Sequence, residues 1–469
     1  MHPSPLLESV LDALRTAVGS DHVRTDDDAR TAYGADALKR GHPADVVVLP
    51  GTTDDVAAVA RLCNEHRVPL VPRGGGSGYT GGAVPVEGGV VLSMERMNRI
   101  LEIDEANLVA VVEPNVVTGD LQDTVEQRGL FYPPDPASLR QSAIGGNVAE
   151  CAGGPRAFKY GTTKRYVLGL EAVLPTGEII ATGGKVVKNV VGYDLTQLLV
   201  GSEGTLAILT KIILRLIPRP PVQSTLRASF DRVESAVAAV TNVIRARVVP
   251  AALELIDGDS LEAVARHLGL RSLAPEGTAA ILLIEVDGVP AAVAEEAARV
   301  EAACRDAGAT EVVRAADERQ RQELWRVRRE LSLSLKQIAP LKLNHDVVVP
   351  KGRIPELFAL AQRMREQYQL RIPLFGHAGD GNIHVNIMVD PADAGALERA
   401  RQAERVLFEG VVRLEGSISG EHGIGFAKAP FLGIELSEDE IALMQRIKQA
   451  FDPNGILNPG KIFPRSPSE

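Results

Sequence analysis

Six glycines fall within the ten residues Arg73-Gly-Gly-Gly-Ser-Gly-Tyr-Thr-Gly-Gly82. Glycine is too costly in backbone entropy to fill a helix or strand at this density, so the segment must be a loop. Its surroundings restrict the fold further. Asp45–Pro50 reads as an apolar strand, and Thr53-Asp54-Asp55 starts a helix that runs to about His66. Val56, Val59, Ala60 and Cys63 lie on one face of that helix, and Val68–Pro72 is the next strand. The loop therefore ends a β-α-β unit. Gly76-Ser-Gly78-Tyr-Thr-Gly81 formally matches the dinucleotide fingerprint, which also requires a helix directly after the loop. Here Gly82-Ala-Val-Pro85 follows and then another strand, Gly89–Met94, so a nicotinamide-type Rossmann domain is rejected. A plain surface loop is one alternative. A row of bare backbone N–H groups that binds pyrophosphate oxygens is the other. Proline and arginine at the entry and strands on both sides favour the second.

Two more glycine sets point to a large ligand. One runs through Pro133-Pro-Asp-Pro-Ala-Ser138, Ser142-Ala-Ile-Gly-Gly-Asn147, Gly153-Gly154 and Tyr160-Gly161; the other is Gly201-Ser-Glu-Gly-Thr205. Further strands are expected at Leu108–Pro114, at Val167–Leu174 and Glu178–Thr182 around the turn Pro175-Thr176-Gly177, and at Thr205–Ile217. Pro218-Arg-Pro-Pro221 breaks the last of these and marks a domain boundary. Beyond it, strands near 225–230, 250–256, 278–286 and 310–315 alternate with helices near 232–246, 258–268, 290–307 and 317–336. The expectation is an α+β domain with an antiparallel sheet and helices on one face. At the N-terminus, residues 5–18 read as an amphipathic helix.

Three of the chain's nine histidines fall in two short glycine-rich segments, His377-Ala-Gly-Asp-Gly-Asn-Ile-His384 and Glu421-His422. Two imidazoles and a carboxylate make an open metal site, with a further imidazole beside it as a base. The residues alone leave a second reading for His377 and His384, a pair of hydrogen-bonding loop histidines. For His422 the alternatives are a third metal ligand or a hydrogen-bonding role behind the metal. Nitrogen and oxygen ligands suit zinc, manganese or iron(II) without choosing between them.

The remaining composition narrows the class. At 469 residues the chain needs two or three domains. A net charge of −10 with no dense basic run argues against nucleic acid. Cys63, Cys151 and Cys304 are scattered, which excludes a CxxC zinc site and a four-cysteine iron–sulfur cluster, and suggests a reducing compartment. No basic, apolar signal opens the chain, and no apolar run reaches about 18 residues, so a cytoplasmic protein without direct membrane insertion is expected.

Taken in order, PRGGGSGYTGG, PPDPAS, IGGNVAE, AGGPRAFKYG, KNVVGYDL, GSEGTLAI, GHAGDGNIH, GEHGIG and NPGK resemble one family across nearly the whole chain. It is the FAD-binding family of vanillyl-alcohol oxidase and p-cresol methylhydroxylase. Within it, the chain looks most like the branch of glycolate oxidase flavoprotein subunits, D-lactate dehydrogenases and D-2-hydroxyglutarate dehydrogenases.

The resemblance implies an α+β fold: a two-part FAD-binding domain of the p-cresol methylhydroxylase type and an α+β cap domain with an antiparallel sheet. The expected divisions are an N-terminal helical segment over 1–40, the FAD domain over 41–220, the cap over 221–415, and a C-terminal return over 416–469. By resemblance, Arg73, Gly74, Gly75, Gly76 and Ser77 cradle the FAD pyrophosphate. Pro134, Ser138, Ser142, Gly145, Gly146, Asn147, Gly154 and Ile208 line the flavin and the rest of the cofactor, and Asn458 lies near the isoalloxazine. Residues 73–82 hold no histidine, so noncovalent FAD is expected. His377, His384 and Glu421 resemble the family's metal ligands and His422 its base.

The arginine-rich helix around Leu324–Ser332 would ordinarily be a solvated face. Relatives contact substrate from it through an arginine and a hydroxyl residue four positions later, here Arg328 and Ser332. They also use a lysine before the following strand. Asn344 falls there, which weakens the case for a dicarboxylate and leaves room for glycolate or D-lactate; the neighbouring His345 reaches either the pocket or the core. The implied activity is oxidation of a D-2-hydroxy acid. Electrons would leave to oxygen, a quinone, an electron-transfer flavoprotein or an iron–sulfur partner subunit, the last placing the protein peripherally at a membrane. A metal-dependent hydrolase and a non-catalytic flavin-binding subunit are the alternatives.

Overall fold

The computed structural model describes residues 8–464, which form two compact units. The first takes the chain up to Ala152, then Thr162–Arg219, and again from Glu421 onward. The second takes Pro220–Gly420 and the short excursion Gly153–Gly161. One break between them falls inside the Pro218–Pro221 run, where proline removes the N–H groups that would continue a sheet.

In the first unit, Val46–Val48 and Leu70–Arg73 both pair in parallel with Val90–Ser93, which lies between them. The helix Thr53–His66 makes the crossover, opened by Thr52 accepting from the Asp55 N–H and closed by Arg67 in the left-handed region. A second, five-stranded antiparallel sheet has the order Ile100–Asp104, Val109–Val112, Ile208–Arg215, Val167–Val173, Ile179–Gly183. The first of these strands was not anticipated. One core joins Val10, Leu14 and Val18 of the helix Glu8–Val18 to Val56, Val59 and Cys63 and to Leu70, Leu92, Val173 and Leu457. The expected helix over 5–18 thus begins at Glu8 among the described residues, and residues 5–7 lie outside them. The C-terminal Leu457 bridges Leu70 in parallel, so the tail closes the sheet edge beside the glycine loop.

The second unit is a seven-stranded sheet in which every pairing is antiparallel. Its order is Glu311–Arg314, Val222–Phe230, Ala280–Gly288, Ala252–Asp257, Leu374–His377, Asn382–Val389, Leu341–Val348. The strand Leu341–Val348 and the helices Ile354–Tyr368 and Ala396–Arg413 add to the elements read from the sequence, as does the helix Glu438–Phe451 in the first unit. The expectation of helices on one face is corrected. Ile256, Ile281, Phe375 and Met388 cluster with Leu261 and Val264 of the helix Gly258–His267 and with Val327 and Leu331 of the helix Glu318–Ser334. On the opposite face, the His345 ring meets Phe408 of the helix Ala396–Arg413 edge-on. Every residue of Ala252–Asp257 and Asn382–Val389 is buried, and a sheet buried on both sides carries long apolar runs rather than strict alternation. No helix among the described residues is long and apolar enough to cross a membrane.

Candidate active site

In the first unit, the glycine sets converge because their backbones touch. A Cβ at Gly75 would stand 2.4 Å from the Gln141 carbonyl oxygen, and one at Gly74 would stand 3.3 Å from Ala143 Cβ. At Gly145 it would meet Pro114 at 2.7 Å, and at Gly204 it would lie near Pro72 and Asn458. At Gly75 and Gly145 only a residue without a side chain allows the approach. Arg73–Ser77, Ser142–Asn147, Gly204 and Asn458 are thereby brought together.

Several of the expected side chains serve the protein itself. Arg73 donates to the carbonyls of Tyr33 and Ala35, at 3.3 and 2.7 Å, so its guanidinium ties down the loop while the loop's backbone is left for a ligand. Ser142 and Asn147 are both hydrogen-bonded to Thr118 Oγ1, and the Pro134 carbonyl accepts from Gln122. The Ser138 carbonyl closes a turn by accepting from the N–H groups of Gln141 and Ser142. The Ile208 side chain is fully buried in the core, so a cofactor would meet this residue through its backbone. Asn458 donates to the carbonyls of Gly82 and Glu203, joining the tail to two glycine loops. Gly154 belongs to the excursion that packs with the second unit, where Phe158 covers Gly379. Beside the loop, burial pushes the Asp36 carboxyl up to about 6, against the Leu38 N–H and the Arg73 charge.

His422 is also held within the first unit. Its carbonyl accepts from Thr80 Oγ1 at 3.0 Å, and its ring lies 5.2 Å from that of Tyr79. Glu203 accepts from the N–H groups of Ile424 and Gly425 at 2.8 and 2.6 Å. Burial raises the Glu203 pKa, and those same N–H groups oppose the shift. Both ends of the glycine-rich turn after His422 are therefore anchored to residues of the glycine loops.

In the second unit, sheet register explains the seven-residue histidine spacing. His377 pairs with Asn382 across a four-residue hairpin loop, and Phe375 pairs with His384. Positions 375 and 377 share a face by the two-residue period, so His384 falls on the face of His377. The two rings are 5.5 Å apart and both are buried. Asp346 is the partner of His384 on the next strand, and its main-chain and side-chain oxygens both accept from the Gly420 N–H at 2.9 Å. A Cβ at Gly420 would collide with Asn382. That fixes where the chain leaves the second unit, and the next residue is Glu421. One ligand atom from each of His377, His384 and Glu421 lies within 4.8 Å of the others. Two imidazoles and a carboxylate at that spacing fit a divalent ion.

The same sheet face carries charged groups absent from the sequence-based site. Glu254 is fully buried beside His377, its cross-strand partner, with Oε1 2.5 Å from His377 Nδ1. Its other oxygen accepts from Arg328 Nε. Burial acts to raise this carboxyl, but the contacts with His377 and Arg328 outweigh it and hold it at about 2. A charge in the middle of the apolar strand Ala-Leu-Glu254-Leu-Ile was the available signal, because a buried carboxylate needs partners.

The helix Glu318–Ser334 presents Arg321, Trp325, Arg328 and Ser332 at helical spacing. Arg321 and Trp325 bind the buried Glu285, Arg328 binds Glu254, and Arg326 and Arg329 remain exposed. Lys342, on the strand face of Asn344 and Asp346, donates to Ser332 Oγ at 2.6 Å. Burial, reinforced by Lys336, lowers its pKa to about 8. A cation thus lies two residues before Asn344, on the same strand face. His345 points the other way, to Phe408 and Glu404, and its role is structural.

This fold and these clusters define a flavin-dependent oxidoreductase. The FAD binding domain model matches residues 44–183, and the model for the C-terminal domain of FAD linked oxidases matches 219–462. The chain belongs to the FAD-linked oxidase family, and the hydrolase alternative falls with that finding. It is 41% identical over 461 residues to the glycolate oxidase subunit GlcD of Bacillus subtilis, covering 98% of this chain and 97% of that one. It is 39% identical to the D-lactate dehydrogenase of Archaeoglobus fulgidus, covering 89% and 91%. The p-cresol methylhydroxylase structure superposes with a TM-score of 0.81 over 97% of this chain and 96% of that one, at 20% identity, which supports the fold alone.

Proposed function

We propose that the protein oxidises a small D-2-hydroxy acid, glycolate or D-lactate, to the 2-oxo acid. The observation that carries this reading is the His377, His384 and Glu421 group with His422 next in the chain, in a family whose members are FAD-linked oxidases. FAD, bound noncovalently along Arg73–Ser77 and Ser142–Asn147, supplies the hydride acceptor at flavin N5. A divalent metal on the two imidazoles and the carboxylate would lower the pKa of a coordinated hydroxyl.

The chain's own groups do the rest. His422 accepts the hydroxyl proton, and the anchored turn after it holds the ring in place. Arg328 spends its Nε–H on Glu254 and turns its terminal nitrogens to the substrate carboxylate. The buried sheet face excludes water from the reacting carbon. Ser332 and Lys342 select at the far end of the substrate. That lysine favours a second reading, D-2-hydroxyglutarate, whose distal carboxylate it would neutralise.

Turnover would need an electron acceptor outside the chain, such as an iron–sulfur partner subunit or an electron-transfer flavoprotein. An iron–sulfur partner would bring the protein peripherally to a membrane. Anaerobic titration of the flavin absorbance with glycolate, D-lactate, L-lactate and D-2-hydroxyglutarate tests the reading. Bleaching by a D-acid or glycolate is expected, with loss on chelation and in His422→Ala with FAD retained. Normal flavin reduction in His422→Ala would sink the base assignment.

A further inference from the structure

We propose that Glu254 is the positioning residue that ties the metal site to the substrate-binding arginine. This rests on the metal reading above. A carboxylate only accepts hydrogen bonds, so the contact of Glu254 Oε1 with His377 Nδ1 requires the proton on Nδ1. That tautomer leaves the His377 Nε2 lone pair for a metal, the arrangement in which an outer carboxylate orients a ligating imidazole. The second oxygen takes the Arg328 Nε–H, and the guanidinium also lies 5.0 Å over the Phe375 ring. Phe375 is the strand partner of His384. One buried side chain therefore sets both the tautomer of a metal ligand and the pose of the carboxylate fork.

Neither alternative residue can do this. A glutamine that gives its oxygen to the Arg328 Nε–H turns its amide nitrogen to His377 and drives the proton off Nδ1, and the reverse orientation sets its nitrogen against the Arg328 Nε–H, donor against donor. An aspartate is one methylene shorter and reaches one partner.

The test uses the full chain loaded with FAD, titrated with zinc or manganese against a chelator. The 15N-histidine spectrum of the metal-free protein reports the tautomer. Wild type is expected to bind one ion and His384→Ala none. Glu254→Gln, with its oxygen taken by the Arg328 Nε–H and its amide nitrogen donating to His377 Nδ1, should bind about 10–100-fold more weakly, with the flavin spectrum retained and the Nδ1–H signal of His377 lost. It should also raise KM, whereas Arg328→Lys raises KM and leaves metal affinity unchanged. If Glu254→Gln does not fold, Glu254→Asp is held to the same standard. Wild-type metal affinity and an unchanged His377 tautomer in the folded Glu254 variant, with His384→Ala empty, overturn this inference alone. Equal metal binding by wild type and His384→Ala overturns the metal reading and this inference with it.

Discussion

In the first unit, the decisive close contact is a glycine against a backbone, with the Gly75 Cβ position 2.4 Å from the Gln141 carbonyl oxygen. In the second unit it is one charged side chain against another, with Glu254 Oε1 2.5 Å from His377 Nδ1. On the proposed function, the two regions would recognise ligands by different means. The glycine cradle offers backbone N–H groups, and its side chains are occupied in holding it: Arg73 on two carbonyls, Ser142 and Asn147 on Thr118, Asn458 on Gly82 and Glu203. The histidine face offers side chains, and the regular register of the sheet holds them. The cradle should therefore respond to added volume and the face to changed charge.

The largest expected effect tests the cradle. Gly75→Val places atoms on the backbone of 141–143, which must move. We expect the purified variant to hold less than about one-tenth of the wild-type flavin, since a close backbone approach at such a site tolerates no side chain. Flavin content by absorbance checks it, and a full complement of FAD would break the comparison.

An intermediate effect sharpens it on the other side. Lys342→Met keeps the volume and removes the charge beside Ser332. We expect normal flavin content and a KM about tenfold higher for an acid with a distal carboxylate, the worth of one lost charge-assisted hydrogen bond. Glycolate should be much less affected. Equal effects on both acids would remove Lys342 from substrate selection.

The smallest effect concerns a charge in the cradle, where the comparison says charge serves stability. Burial lifts Asp36 to about 6. Between about pH 4 and pH 6 the unfolded chain has released this proton and the folded chain still holds it. Stability contributed by this group therefore falls as pH rises through that window, and the deficit persists above it. Asp36→Asn should raise stability by about 2 kcal/mol above pH 6 and change nothing below about pH 4, read from melting curves across pH. A destabilised variant at pH 7 would show that the ionised carboxylate is needed.

Much of this site was legible because its residues come in short motifs. His377 and His384 could be paired from sequence since one hairpin holds both, and Glu421-His422 stood out by composition. Glu254 and Lys342 were not legible. Glu254 belongs to a strand that reads as core and gains meaning only from partners far along the chain, 123 residues for His377 and 74 for Arg328, while Lys342 lies on a strand the sequence reading did not find. Ile208 shows a different limit: it sits in a recognisable motif, and only the structure shows that its side chain is core. Helices on both faces of the second sheet were missed because an unbroken apolar strand does not reveal what covers its two sides.

The sequence by itself determined the family, the glycine loops, the alternation of strands and helices beyond Pro218, and the histidine motifs, because each depends on local spacing and on which residues a backbone conformation allows. The tertiary structure decided which charges meet: Arg328 with Glu254 rather than solvent, Lys342 with Ser332, His345 turned to the core, Arg73 spent on carbonyls. Those outcomes depend on register between distant strands. A buried charge must find a partner, and only the assembled sheet fixes which one is within reach.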